Sequence, residues 1–203
     1  RYLMHSAPLP VSFYLRDVTL VARDLLGKRL TRTSPDGIMT GIITETEAYD
    51  GQDDPASHSY PGPKPRNMMM FKEGGILYVY RSYGVHFCAN AVTGAEGYGA
   101  AVLIRCVEPV NGKEIMAANR FGAAGAGKED AAVISNGPGK VCQAFGIDIS
   151  HNGVSLQSGE VTICDGDPVP DTRVGVSERI GISKATDRLW RFYIKGNRYV
   201  TRQ

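Results

Sequence analysis

The run Glu45-Thr46-Glu47-Ala48-Tyr49 concentrates groups that can do chemistry. Residues two apart on a strand share a face, so Glu45, Glu47 and Tyr49 would project together. Two carboxylates and a phenol at a strand's end can accept and return a proton. A solvated sheet edge with surface carboxylates has the same spacing, and spacing alone leaves both readings open. The following loop adds Asp50, Asp53, Asp54 and His58. Such an oxygen-rich loop could hold a divalent cation and support a metal-dependent hydrolase, but the ligand spacing of a calcium loop and its closing Glu are absent. A lone histidine is more often structural or solvated than catalytic.

A second group of candidates lies between Leu77 and Phe87. Tyr78 and Tyr80 would share one strand face, and Tyr83 falls at a turn beside Gly84. An aromatic at a hairpin tip leaves apolar surface exposed, a mark of binding. Proteins that unstack DNA insert such side chains between base steps. Tyr83 laid flat over neighbouring strands accounts for the same residues equally well. Tyr78, Tyr80 and Tyr83 could also form the stacking surface of a non-catalytic nucleic-acid-binding module. The run Met68-Met69-Met70 is expected to fill core space.

These side chains must be carried by defined elements. Residues 1–16 contain prolines and read as an irregular, extended arm. Residues 17–27 predict a short helix with Val18, Val21, Ala22 and Leu25 on one face, stopped by Gly27. Strands are expected over 28–33 and 38–49, joined by the turn Ser34-Pro35-Asp36-Gly37. Residues 50–67 read as a loop. A hairpin follows, with strands over 76–82 and 85–92. A strand over 99–109 leads to a helix at about 111–120, opened by Asn111 with Glu114 three residues on. The Gly- and Ala-rich stretch 122–130 reads as a mobile surface loop. Asn136-Gly137-Pro138-Gly139-Lys140 starts a helix that ends near Gly146. Strands over 172–176 and 189–195 are expected in the C-terminal third. The sum is an α+β fold: one domain over 1–203, with a mostly antiparallel curved sheet, flanking helices and a protruding β-hairpin.

Composition narrows the function classes. The chain has 203 residues, 42% hydrophobic and 22% charged, which suits an ordinary globular domain. Its net charge of +2 is small for a protein that coats nucleic acid. Cations cluster at Lys28, Arg29 and Arg32 and again at Lys184, Arg188, Arg191, Lys195 and Arg198, as a solvated face or a phosphate-contact surface. Cys88, Cys106, Cys142 and Cys164 form no Cys-x-x-Cys pair, which argues against zinc and fits a reducing cytoplasm. No signal-peptide pattern or apolar run of about 18 residues points to export or a membrane. The chain begins at Arg1, so native residues before it are expected.

Several fragments occur in a recognisable order. They are Glu-Thr-Glu-Ala-Tyr at 45–49, Ala-Ser-His at 56–58, Pro-Arg-Asn at 65–67, Leu-Tyr-Val-Tyr at 77–80, Tyr-Gly at 83–84 and Phe-Cys-Ala-Asn at 87–90. Val-Leu-Ile-Arg at 102–105, Gly-Pro-Gly-Lys-Val-Cys-Gln-Ala at 137–144 and Arg-Val-Gly-Val at 173–176 follow. In content and spacing the set resembles the bacterial-type alkyladenine (3-methyladenine) DNA glycosylase family. The resemblance implies a cytoplasmic, monomeric base-excision-repair enzyme. Such an enzyme takes double-stranded DNA containing damaged purines, needs no metal or organic cofactor, and leaves an abasic site without cutting the strand.

The resemblance also implies roles residue by residue. Glu47 looks like the general base that activates water, with Arg105 and the backbone carbonyl of Val174 positioning that water. Tyr49 and His58 resemble the pair that sandwiches the flipped base, and Tyr80 the third aromatic of the pocket. Asn90 resembles the residue that crowds the amino group of guanine, and Tyr83 the wedge that fills the gap in the duplex. Arg66, Gly139 and Lys140 are expected near the DNA backbone, where the helix start could hold a phosphate on its amides. An ordinary Pro-initiated helix would look the same. The chemistry is coherent, because a base inside a duplex must be extruded before it can be attacked.

Overall fold

The 13-residue strand β2 (Gly37–Tyr49) is the spine of the molecule. The computed structural model describes residues 7–125, 127–129 and 131–201. One edge of β2 pairs with β5 (Ala100–Asn111). The other edge is shared: β1 (Arg29–Ser34) covers Gly37 to Ile42, and β8 (Arg191–Ile194) covers Glu45 to Glu47. Between the two the register against β5 slips on either side of Glu45. A bulge of this kind bends a strand and re-aims its side chains.

The sheet extends outward from this spine. β4 (His86–Thr93) lies beside β5, and β3 (Leu77–Ser82) lies beside β4. At the far side β6 (Val161–Cys164) pairs with β1, and β7 (Val174–Ser177) pairs with β8. All of these pairings are antiparallel, and the sheet curls. The α+β fold with a curved antiparallel sheet is therefore as the sequence predicts.

Helices close the core. α2 (Val18–Asp24) buries Val18, Val21 and Ala22, and Leu25 continues the face. The Asp17 carboxylate accepts the amides of Thr19 and Leu20 and so caps the helix. Gly27 follows at φ +83°, where a side chain would be strained. α3 (Lys113–Phe121) and α4 (Pro138–Phe145) pack through Met116, Ala117, Val141 and Phe145. Among the described residues no helix is long and apolar enough to cross a membrane.

Several local expectations change. Residues 1–6 lie outside the described residues. Residues 7–16 do not form a free arm, because Leu9 donates its amide to the Ile163 carbonyl and the short helix α1 (Val11–Tyr14) buries Tyr14 completely. Asn111 does not open α3. It ends β5 and donates its side-chain amide to the Ile38 carbonyl at 3.0 Å. Gly112 makes the turn at φ +71°, and a Cβ there would stand 2.6 Å from the Ile38 carbonyl oxygen. Within 122–130, Gly122–Gly125 form a 3-10 turn, and residues 126 and 130 lie outside the described residues. The strand expected over 172–176 begins only at Val174, after a 3-10 turn over Asp171–Arg173.

The close approach of β2 and β5 gives a direct check. A Cβ at Gly41 would lie 2.4 Å from Val107 Cγ1 and 2.8 Å from the Glu108 carbonyl oxygen, and the latter cannot rotate away. Gly41→Ala should lower unfolding free energy by about 1–3 kcal/mol in urea denaturation. Unchanged stability would mean the two strands sit further apart.

Candidate active site

A cavity of about 400 Å³ opens where the C-terminal end of β2, the β3–β4 hairpin, the start of α4 and the segment 180–182 meet. Tyr49, His58, Tyr80, Asn90 and Arg105 all line it, with Arg66 and Tyr83 also in its wall. Tyr83 is 93% exposed. The turn holding Tyr83 is closed by the Val85 amide donating to the Ser82 carbonyl at 3.1 Å. Tyr83 and Gly84 have φ of +49° and +67°, the positive pair that a type I′ turn requires. The reading of Tyr83 as a ring laid over neighbouring strands is therefore wrong.

Glu47 lies one layer behind the wall and is fully buried. The Tyr49 hydroxyl donates to its Oε2 at 2.8 Å, and the Ile180 amide donates to its Oε1 at 2.6 Å. Arg105 Nη1 stands 3.3 Å from Oε2. An ionised carboxylate offers about four acceptor positions, so capacity remains for a water. Burial first, and then the Glu47 charge and hydrogen bond, hold the Tyr49 hydroxyl far above its ordinary value. That hydroxyl stays protonated and donates.

Glu45 turns to the same side but goes deeper. Its Oε1 accepts Nε of Arg105 at 2.9 Å and Nε of Arg191 at 2.7 Å. Its Oε2 accepts the Thr201 amide at 2.6 Å and faces the Cys106 thiol at 3.1 Å. Burial works to raise this carboxyl, but the Arg191 and Thr201 hydrogen bonds and the Arg105 charge outweigh it and hold it below the ordinary range. Glu45 and Glu47 are thus neither a solvated edge nor equivalent.

The far face of Tyr49 is closed by a third buried pair. The Arg179 guanidinium sits 4.7 Å from the Tyr49 ring centroid and 5.2 Å from that of Trp190. It grips Asp54 with both nitrogens, at 2.5 and 2.9 Å, and donates to the Ala48 carbonyl. Asp54 also accepts the amides of Asp50 and Ala56, which pins the loop carrying His58. Asp54 is therefore committed to Arg179. Among the described residues no group of three or more His, Cys, Asp or Glu is arranged to hold a metal.

Across the cavity the His58 ring meets Tyr80 edge-on at 4.4 Å, and its Nδ1 is 3.2 Å from the Tyr78 hydroxyl. Burial, then the Arg66 charge, lowers the His58 pKa and favours the neutral ring. Burial raises Tyr78 to about 12. Burial, then Cys88, raises Tyr80. The buried Asn90 amide donates to the Tyr78 carbonyl at 3.1 Å. Met70 is buried and also lines the cavity, so it fills core on one side and wall on the other.

The remaining expected residues separate. Gly139 packs on His86, where a Cβ would come within 2.9 Å of the His86 Cβ, and Lys140 reaches back to Asn136 at 2.9 Å. Val174 does not join the cavity. It packs with Leu26, Val169 and Ile194 and pairs with Ile194. Ser177, which shares a rung with Arg191, is three residues further along, roughly 10 Å. The physical reason is register. The pattern Arg-Val-Gly-Val at 173–176 has a near copy, Arg-Ile-Gly-Ile at 179–182. It is the second copy that touches Glu47 and lines the cavity. Reading the sequence missed Arg179 and Ile180, for which the repeated pattern was the available signal, and it offered Asp54 only as a candidate cation ligand, whereas Asp54 pairs with Arg179. It also left Arg191 among surface cations, whereas its side chain is buried on Glu45.

Comparison with known proteins places this geometry in context. The methylpurine-DNA glycosylase family model matches residues 12–198. A protein of Methanoculleus marisnigri is 44% identical over 96% of this chain and 99% of its own. One of Carboxydothermus hydrogenoformans is also 44% identical over the same shares, and one of Rhodopseudomonas palustris is 45% identical over 96% and 90%. All three are provisionally named 3-methyladenine DNA glycosylase.

The Asp54–Arg179 pair should be costly to break. Arg179→Met leaves the buried Asp54 carboxylate with two backbone amides and only the more distant Arg188, at 4.0 Å, and should cost about 3–5 kcal/mol in chemical denaturation. Burial opposes ionisation of Asp54, but Arg179 and the two amides win and lower its pKa. Its contribution is therefore complete above the unfolded value of about 3.9 and lost as pH falls through the lower folded value. Asp54→Asn should flatten the loss of stability below about pH 4; an unchanged acid slope would remove Asp54 from that role.

Proposed function

The chain belongs to the methylpurine-DNA glycosylase family, and on that footing we propose that it extrudes a damaged purine from duplex DNA and hydrolyses its N-glycosidic bond. The observation that carries this reading is a single cavity walled by Tyr49, His58 and Tyr80, backed by buried Glu47 and edged by exposed Tyr83. Tyr49 and His58 supply π-faces for the flipped base, each stacking contact contributing about 1–3 kcal/mol. Arg179 already covers the outer face of Tyr49, so the inner face is the one available. Tyr83 fills the gap left in the duplex. Asn90, held by the Tyr78 carbonyl, excludes the guanine amino group sterically.

In the chemical step a water oxygen bonds to C1′ as the bond to the purine nitrogen breaks, and the bonding pair leaves with the base. Glu47 takes the water's proton, and its charge stabilises positive charge developing on the sugar. Arg105 and the main chain at Ile180 hold Glu47 and the water between them, the part first expected of Val174. An alkylated purine is already cationic and leaves as a neutral base. A neutral lesion needs a proton or hydrogen bond at its leaving edge. Neutral His58 with Nδ1 accepting from Tyr78 would carry its proton on Nε2, a suitable donor. The protein works as a monomer on double-stranded DNA, in the cytoplasm at the nucleoid, and its four free cysteines suit a reducing compartment. Arg66 at the rim and Gly139 and Lys140 at the start of α4 are the proposed backbone neighbours.

Glu47→Gln should bind duplex carrying a damaged purine yet lose base release by at least about 100-fold. Normal release by this variant would remove Glu47 as the base. Tyr83→Ala should weaken binding to lesion duplex more than to the same lesion in single-stranded DNA, and equal losses would refute a wedge. No base release by the wild-type protein across a panel of alkylated and deaminated purines would overturn the enzyme reading itself.

A further inference from the structure

We propose that Glu45 is a positioning residue for this reaction, whose buried carboxylate aims Arg105 at Glu47 and sets the charge balance in which Glu47 works. The inference rests on the glycosylase reading and deepens it. Arg105 is shared: its Nε is committed to Glu45 at 2.9 Å, which turns Nη1 toward Glu47 at 3.3 Å. Without Glu45 a buried guanidinium would have one carboxylate partner and freedom to rotate onto it. Arg191 holds Glu45 from β8 and is itself fixed by the Ser177 hydroxyl and the Thr201 carbonyl. The Thr201 amide returns to Glu45, so the last described residue of the chain is tied into the same unit.

Glu45 has no route to substrate. Of its partners only Arg105 lines the cavity, whereas Arg191, Cys106 and Thr201 do not. A twin-carboxylate site with one acid and one base is thereby excluded in favour of one base and one counter-charge. Two carboxylates and two guanidiniums balance. The other groups facing Glu47 are the protonated Tyr49 hydroxyl on β2, the Ile180 amide, and Tyr80 and Cys88 on the hairpin, both raised by burial. None of these supplies charge near neutral pH. Cys106, beside Glu45, is likewise raised by burial.

The test is single-turnover base release from a lesion duplex that the wild-type protein processes, followed across pH with thermal melting as a check of folding. Glu45→Gln leaves two guanidiniums facing one carboxylate, so protonation of the site becomes harder. The acid limb of the rate profile should move down by about one pH unit, and the neutral-pH rate should fall by about 10- to 100-fold as Arg105 loses its aim. Adding Arg191→Gln restores the balance; the limb should return to its wild-type position while the rate stays low. Arg191→Gln alone leaves one negative charge in excess and should move the limb upward, which keeps the test open if Glu45→Gln does not melt cooperatively. An acid limb that stays in place in Glu45→Gln, or in Arg191→Gln where the former does not fold, overturns the proposal. Absence of release by the wild-type protein overturns the underlying reading instead.

Discussion

Six charges are buried at one end of β2, and the rest of the structure accommodates them. Glu45 and Glu47 face Arg105 and Arg191, and Asp54 faces Arg179 a few residues away. Removing an ion from water costs several kcal/mol unless a partner with good geometry repays it. Neutrality and close hydrogen bonds keep that cost small, and they require that the strands deliver these side chains to fixed places. The bulge around Glu45 is where that requirement meets the backbone. It lies where the outer edge of β2 passes from β1 to β8, and β8 brings Arg191. Apolar burial alone would have been satisfied by a regular strand.

The same network separates rigid from exposed parts. The wall behind the proposed base slot is tied by ion pairs from β2, β5, β8 and the segment at 179–180. The opposite lip is a hairpin whose tip presents a tyrosine to solvent in a left-handed conformation, at a cost of roughly 1–2 kcal/mol. The ring at that tip lies open to solvent. A residue that is both strained and exposed is the pattern expected where the compensating contact belongs to a ligand.

The sequence made the sheet legible because period-two patterning and turn chemistry are local. The hairpin around Tyr83-Gly84 and the helix from Val18 follow from spacing and caps. Local signals failed where a tertiary contact decided. Asn111 has the side chain of a helix cap, but the turn into α3 passes too close to the Ile38 carbonyl for any residue with a Cβ, so Gly112 takes the position. Tyr14 lies in a proline-bounded stretch that looks irregular, yet it is fully buried. Arg191 sits in a run of cations, and only the pairing of β8 with β2 reveals that it is internal.

The candidate site was legible to the same degree and for the same reason. Side chains that meet one cavity through two adjacent strands or one loop could be named, because each carries its own chemistry. What could not be read was which main-chain group takes part, and that Arg179 is buried beside it. A backbone amide or carbonyl has no sequence identity of its own, so its position depends wholly on register. The pattern Arg-β-branched-Gly-β-branched occurs at 173–176 and at 179–182, and both copies satisfy any rule written on residue types. What distinguishes them is the guanidinium. Arg173 is exposed, whereas Arg179 is buried against Asp54 and Tyr49, and this fixes Ile180 at the Glu47 carboxylate. A buried arginine needs a buried acid within reach, and Asp54 in the loop after β2 is one, with Arg188 further off at 4.0 Å. Matching buried charges across distant segments therefore locates a backbone contact that residue patterns leave ambiguous.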